Sequence, residues 1–83
     1  MVVLGIDAHK RTHTVVAVDE AGRQLGVRVT KATSTAAHLD LVRWAGQFGA
    51  GRRWAVEDCR HLSRRLERDL LAAGETITRV RPS

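Results

Sequence analysis

Asp7 stands in the run VVLGIDAHK, from Val2 to Lys10, where a carboxylate follows an apolar, strand-like segment. Glu57 does the same after Trp54-Ala55-Val56, with Asp58 directly behind it. Acids in such places allow two kinds of chemistry. Taken singly, Asp7 caps a turn, and Glu57 or Asp58 caps a following helix. Brought together, two carboxylates repel and call for a cation between them. Oxygen-only donors suit Mg2+ or Mn2+. Two such ions about 3.5–4 Å apart clamp a phosphodiester for in-line attack. Asp7 and Glu57 are therefore the candidate catalytic and metal-binding pair.

Other residues carry chemistry of their own. Lys10 and Arg11 follow Asp7 directly and could contact a nucleic-acid backbone. Arg60, Arg64 and Arg68 recur every fourth residue, with Arg65 beside them. On a helix they would form a stripe, which is either a solvated face or a track for phosphates. His9 and His13 have a spacing that suits a shared metal on a helix, but here they straddle a strand turn, so no shared ion is expected. His9 lies two residues from Asp7 and shares its strand face if the strand extends that far. Cys59 and His61 do not make a nucleophile pair, because their spacing places them on different helix faces; Cys59 reads as core. Gly49-Ala50-Gly51 lacks the Lys-Ser/Thr of a phosphate-binding loop. Trp44, Phe48 and Trp54 read as core rather than base-stacking residues.

Charge supports a polyanionic partner. The 83-residue chain has a net charge of +5 and a pI near 11.0. The first 42 residues carry 5 Lys/Arg against 4 Asp/Glu, whereas the last 41 carry 9 cations, all arginine, against 5 acids. Guanidinium forks match phosphate oxygens. With one cysteine there is no intrachain disulfide, and a reducing compartment fits. No apolar run approaches the roughly 20 residues of a membrane span, and Asp7 comes too early for a secretory leader. A soluble, cytoplasmic protein without a membrane partner is expected, folded as one thin-cored domain.

The elements that must position these residues follow from pattern. Val2–Ile6 is apolar apart from Gly5, which suits a central strand covered on both faces. Thr12–Val18 is β-branched and reads as a second strand. Asp19 to Gly22 is a turn, and Gln24–Thr30 alternates as a third strand, with Leu25, Val27 and Val29 on one face and Gly26, Arg28 and Thr30 on the other. A helix capped at Thr33, Ser34 or Thr35 follows, with Leu41, Trp44, Ala45 and Phe48 at helical spacing and Gly46, Gly49 and Gly51 to end it. Trp54–Val56 is a short strand. Cys59, Leu62, Leu66, Leu70 and Ala73 mark a second helix that stops at Gly74. Thr76–Val80 is a last strand, closed by Pro82. The order β-β-β-α-β-α-β predicts a mixed sheet whose first and fourth strands are parallel neighbours. Ligands bind at the carboxyl ends of such strands, and there the two acids, 50 residues apart in sequence, would meet.

GIDAHKRTHTVVAVDEAGR followed by VEDCRHLSRRLERDLLAAG resembles the N-terminal part of insertion-sequence 110 type transposases. The resemblance covers nearly the whole chain. It implies an α/β, RNase H-like (RuvC-like) mixed sheet whose catalytic set is DEDD, in which Asp7 matches the first D and Glu57 the E. It implies DNA strand cleavage and joining with Mg2+ (or Mn2+), with DNA as partner and a structured guide RNA associated. The family's remaining two aspartates lie beyond the region present here, and Asp69 does not take their place. Residues 1–83 are thus expected to be the N-terminal part of a transposase catalytic domain, truncated before the closing C-terminal helix and inactive alone. An under-covered sheet face would favour self-association. Two further readings stand beside this one: a non-catalytic nucleic-acid-binding or assembly module and, more distantly, an actin-like ATPase lobe, which also begins strand–Asp–hairpin but follows its Asp with Gly-Thr rather than Ala8-His9.

Overall fold

A computed structural model describes residues 1–58 and 60–81. Five strands form one mixed sheet in the order β3-β2-β1-β4-β5. The strands are β1 (Val3–Ala8), β2 (Thr12–Val18), β3 (Gln24–Lys31), β4 (Arg53–Val56) and β5 (Ile77–Arg79). Helix α1 (Thr35–Ala45) joins β3 to β4, and α2 (Arg64–Ala72) joins β4 to β5. The expected element order is observed. β1 pairs antiparallel with β2 and parallel with β4, and β4 pairs parallel with β5.

Local chemistry explains most boundaries. At the β2–β3 hairpin, the Asp19 carboxylate accepts from the Ala21 and Arg23 amides, both at 2.9 Å, while Gly22 adopts φ +83°. Ser34 caps α1 through a bond from the Ala37 amide to its hydroxyl oxygen at 3.1 Å. Gly46 does not end that helix as expected. It keeps a right-handed φ of −57° and leads into a 3-10 turn over Gly46–Phe48, and the stop falls at Gly49, φ +92°. The turn carries the helical path far enough for Phe48 to meet Trp44 edge-on, ring centroids 5.1 Å apart.

The core lies on one side of the sheet. Leu4, Ile6, Val15, Ala17, Trp54 and Val56 point from the strands toward Leu41 and Ala45 of α1 and Leu66 and Leu70 of α2. Both helices therefore pack on the same face, and among the described residues β1 is covered by helices on that face alone rather than on both. Strand β3 makes the consequence plain. Gly26, not a large side chain, faces α1, because a Cβ there would come within 3.2 Å of the Trp44 ring. Leu25, Val27 and Val29 instead lie on the helix-free face, 42%, 47% and 60% exposed.

Helix α2 starts later than its apolar spacing suggests. The loop before it winds around Asp58, whose carboxylate accepts from the Ser63 amide (2.6 Å), the Ser63 hydroxyl (2.8 Å) and the Arg60 amide (3.1 Å). His61 takes a left-handed φ of +60° within that loop. Leu66 and Leu70 form the buried stripe as expected, whereas Ala73 is exposed. Cys59, placed in that stripe from the sequence, and Pro82, placed after the last strand, lie outside the described residues.

Candidate functional site

β1 runs on through Asp7 to Ala8, so Asp7 sits inside a paired strand, opposite Thr14 of β2. Strand alternation decides its side. Leu4 and Ile6 point into the core, so Val3, Gly5 and Asp7 point to the helix-free face. In the parallel β1–β4 ladder, Gly5 is level with Ala55 and Ile6 with Val56. The ladder ends at that pair, and Asp7 and Glu57 each follow it by one residue, at the same end of the sheet. Both acids are exposed. The topology thus brings the sequence-predicted pair to one edge of the sheet.

The neighbouring acid behaves differently. Asp58, one residue on, turns to the helix side and is 8% exposed. Burial works against its ionisation. The Ser63 amide and hydroxyl, the Arg60 amide and the nearby Arg79 guanidinium outweigh that, and they hold its carboxyl below the ordinary carboxylate range. Its carbonyl also accepts from Arg79 Nη2 at 2.7 Å. Asp58 is therefore the acid that organises the loop, and Glu57 is left free of that task.

The two histidines also separate. His9 stays outside, with Nε2 3.1 Å from Asp7 Oδ2. His13 points inward, fully buried, and its Nδ1 accepts from the His9 amide at 3.2 Å. They share no ion, as their strand-turn spacing suggests. Burial, reinforced by repulsion from His38, pushes the His13 imidazole below its ordinary value. His13 Nε2 and the Oγ1 of Thr30, its cross-strand neighbour, are buried without a hydrogen-bond partner among the described residues.

The cations fall into two groups. Lys10 and Arg11 are exposed in the β1–β2 turn, and Arg60 is exposed in the loop after β4; both connections leave the sheet at the edge that carries Asp7. Arg64 opens α2. The expected three-arginine helical stripe is broken, because Arg60 precedes the helix and only Arg64 and Arg68 share a helical face. Arg68 is 69% exposed, with Nε 4.0 Å from Asp69 Oδ1. A shallow depression beside that face is lined by His61, Arg64, Glu67, Arg68, Leu71 and Arg79.

Sequence reasoning did not find the His38–Asp69 link between the helices. His38 is fully buried, with Nδ1 2.6 Å from Asp69 Oδ2 and Nε2 2.7 Å from the Lys31 carbonyl. The spacing of His38 on the buried face of α1, three residues before Leu41, was the available signal.

The donor set fits a hard divalent ion in chemistry. Two carboxylates stand at an open edge where water could complete the coordination shell. Among the described residues, no three His, Cys, Asp or Glu side chains already stand together as a formed metal site. No helix among those residues is long and apolar enough to cross a membrane.

What these features define is an α/β domain with a five-stranded mixed sheet, two helices on one face and an acidic pair at the open edge. No protein-family model matches the chain, and comparison with curated proteins finds no match.

Proposed function

We propose that this chain is the N-terminal part of an RNase H-like transposase catalytic domain, with Asp7 and Glu57 as two of its metal-holding acids. What supports this reading is the parallel β1–β4 register, whose last pair, Ile6 and Val56, is followed one residue later by an exposed acid on each chain segment. Mg2+ or Mn2+ bound there would supply Lewis-acid activation of a DNA phosphodiester. Asp7 and Glu57 would bind and orient the ion, and Lys10, Arg11 and Arg60 would hold the flanking phosphates of the strand. Arg64 and Arg68 extend the cationic surface along α2, where a duplex or a structured guide RNA would track. The exposed row Leu25, Val27 and Val29 supports self-association.

Two acids leave the two-metal clamp half built, so the 83-residue chain is expected to bind a divalent ion weakly and not to nick DNA. Thermal melts with and without Mn2+ test the site. Mn2+ should raise the melting temperature of the wild-type chain, and Asp7→Asn should erase that rise. If Mn2+ shifts neither protein, Asp7 is a strand-end residue without a metal. Mg2+-dependent nicking that disappears in Asp7→Ala would overturn the expectation of inactivity.

A non-catalytic nucleic-acid-binding role is the second reading, favoured by the exposed arginines around α2. It shares one prediction with the first. Binding to duplex DNA should weaken as salt rises, with log K falling about 0.9 per phosphate neutralised. A slope worth only a few phosphates is expected, reduced by about one when Arg64→Ala removes a contact. Binding that survives in Asp7→Asn without any metal effect would select the non-catalytic reading. Flat salt dependence, or no binding at low salt, identifies the arginines as a solvated face.

A further inference from the structure

We infer that the outer edge of β3 is a self-pairing surface: two copies of this chain join their β3 strands antiparallel about Val29, and each Arg28 enters a groove of the other copy that Asp40 lines. The inference gives the self-association in the reading above a definite interface. It rests on that part of the reading alone and not on the acids at the end of the sheet.

β3 has eight residues and a neighbouring strand on one side only. Its register with β2 runs unbroken from Lys31, opposite Thr12, to Gly26, opposite Ala17. One step beyond Lys31, the Ala32 amide donates to the Arg11 carbonyl at 2.9 Å. Bonded and non-bonded pairs alternate along an antiparallel ladder. Thr30 and Arg28 therefore direct their backbone groups to β2, whereas Val27, Val29 and Lys31 turn theirs outward. The Lys31 carbonyl accepts from His38 Nε2 at 2.7 Å. The groups of Val27 and Val29 stand at the open edge, on the two most exposed residues of the apolar row. Such an edge is a template for another strand. The opposite edge, β5, offers only three residues, with Thr78 and Arg79 exposed.

Charge and symmetry select a second copy as the occupant, and one register for it. On the helix side of the edge, a groove between β3 and α1 is lined by Arg28, Thr30, Ser34, Ala37 and Asp40. Asp40 is 60% exposed and pairs with Arg43 of its own helix, itself exposed. Residues directly opposite on neighbouring antiparallel strands share a face, with Cβ atoms about 4.5–5.5 Å apart. A two-fold axis at Val29 sets Val29 against Val29 of the second copy and Arg28 against its Thr30. Each guanidinium then lies along the wall of the other copy's groove, within reach of its Asp40, and the contact is made twice, as an isologous interface requires. The backbone fits the same register. The two Val29 residues exchange both bonds, and each Lys31 N–H meets a Val27 carbonyl. A register centred on Arg28 would set two guanidiniums opposite each other, which is destabilising. Stacking the sheets face to face would bury Asp7 and Arg53, charged residues of the helix-free face. Pairing consumes the edge of both copies, so assembly closes at two.

Sedimentation velocity on the 83-residue chain over a concentration series reads the assembly. Wild type should pass from monomer to dimer with no larger species. Val29→Lys, which alters an exposed side chain, should abolish the dimer, because edge lysines block strand pairing. Arg28→Asp and Asp40→Arg should each raise the dissociation constant by at least about tenfold, since each reversal acts at both symmetric contacts. The double variant carrying both should bring it back toward the wild-type value. Hydrogen exchange of the wild type needs no variant to fold: the amides of Val27, Val29 and Lys31 should slow as concentration rises, and that of Arg28 should be protected throughout. A monomer at every concentration overturns the interface and the self-association with it, and leaves the reading of Asp7 and Glu57 to the Mn2+ melts. A dimer that survives Val29→Lys, with no concentration-dependent protection at Val29, is made by another surface and overturns the inference. Single reversals without rescue in the double variant overturn the Arg28–Asp40 register, and species larger than a dimer overturn the closed pairing.

Discussion

Glu75→Ala should destabilise the protein by about 3 kcal/mol, the lower end of the roughly 3–5 kcal/mol that breaking a buried ion pair costs. Glu75 lies between α2 and β5, at the edge of the sheet opposite the acidic pair. Its two oxygens accept from Arg52 Nε and Nη2, each at 2.8 Å, and Oε1 also accepts from Trp54 Nε1 at 2.8 Å. The side chains of Arg52 and Glu75 are only 16% and 9% exposed, and Trp54 is fully buried. Truncating Glu75 leaves the buried Trp54 N–H without an acceptor and the nearly buried Arg52 guanidinium with only its 2.9 Å bond to the Gly49 carbonyl, and each unmade bond costs its desolvation. The small remaining exposure of Arg52 lets water soften the loss. A chain of this length has roughly 4–12 kcal/mol of total stability, so the variant should unfold at a markedly lower urea midpoint. Glu75→Gln, which retains an acceptor for the indole, should lose less. As a control, removing the exposed Arg43–Asp40 pair should change stability by about 0–1 kcal/mol. A Glu75→Ala loss no larger than that control would show that the network is solvated.

How far the sequence revealed this arrangement depends on the kind of signal. β2 was legible to the residue, because THTVVAV is β-branched throughout and ends at an Asp-to-Gly turn. Ser34 was among three candidate caps, and backbone geometry chose it. The parallel pairing of β1 with β4, each followed by an acid, was legible because it needs only two facts, acids at two strand ends and a parallel crossover between them. Sidedness was not. Alternation in β3 groups Leu25, Val27 and Val29 correctly, yet it does not say which face the helices cover. The Trp44 ring, which a Cβ at Gly26 would crowd at 3.2 Å, belongs to another element. The start of α2 was hidden for a similar reason. Arg60 to Ser63 have helical composition, and the amides of Arg60 and Ser63 are drawn instead to a buried carboxylate that local propensity cannot weigh. Neither Glu57 nor Asp58 was marked in the sequence as the structural one; burial separates them, with Glu57 exposed and Asp58 turned into the loop it organises.

The stability of the protein should fall in two stages as pH is lowered from neutrality. The first stage belongs to His13. Its folded-state value is depressed by burial and by His38. The unfolded chain therefore takes up a proton, near the ordinary histidine value of about 6.5, that the folded chain refuses. Stability is complete above that pH and declines as pH falls from there to the folded-state value. The second stage belongs to Asp58 and Asp69, both held below the ordinary carboxylate range. For Asp69 the His38 hydrogen bond is the leading cause, burial opposes it, and the Thr35 hydroxyl adds to it. Depressed carboxylates stabilise the fold above the unfolded value of about 3.9 and lose that contribution as pH falls through their folded values. His13→Leu separates the stages. It replaces a buried ring whose Nε2 has no partner with an apolar side chain, at the loss of the bond from the His9 amide. Melting temperatures measured from pH 8 to pH 3 should show the decline below about 6.5 flattened in His13→Leu and the carboxylate stage intact. Asp69→Asn should show the reverse, keeping the histidine stage and shrinking the acid one. If His13→Leu retains the full decline between neutral pH and pH 5, a group other than His13 is responsible, and the inward-turned ring is not the source of the acid sensitivity.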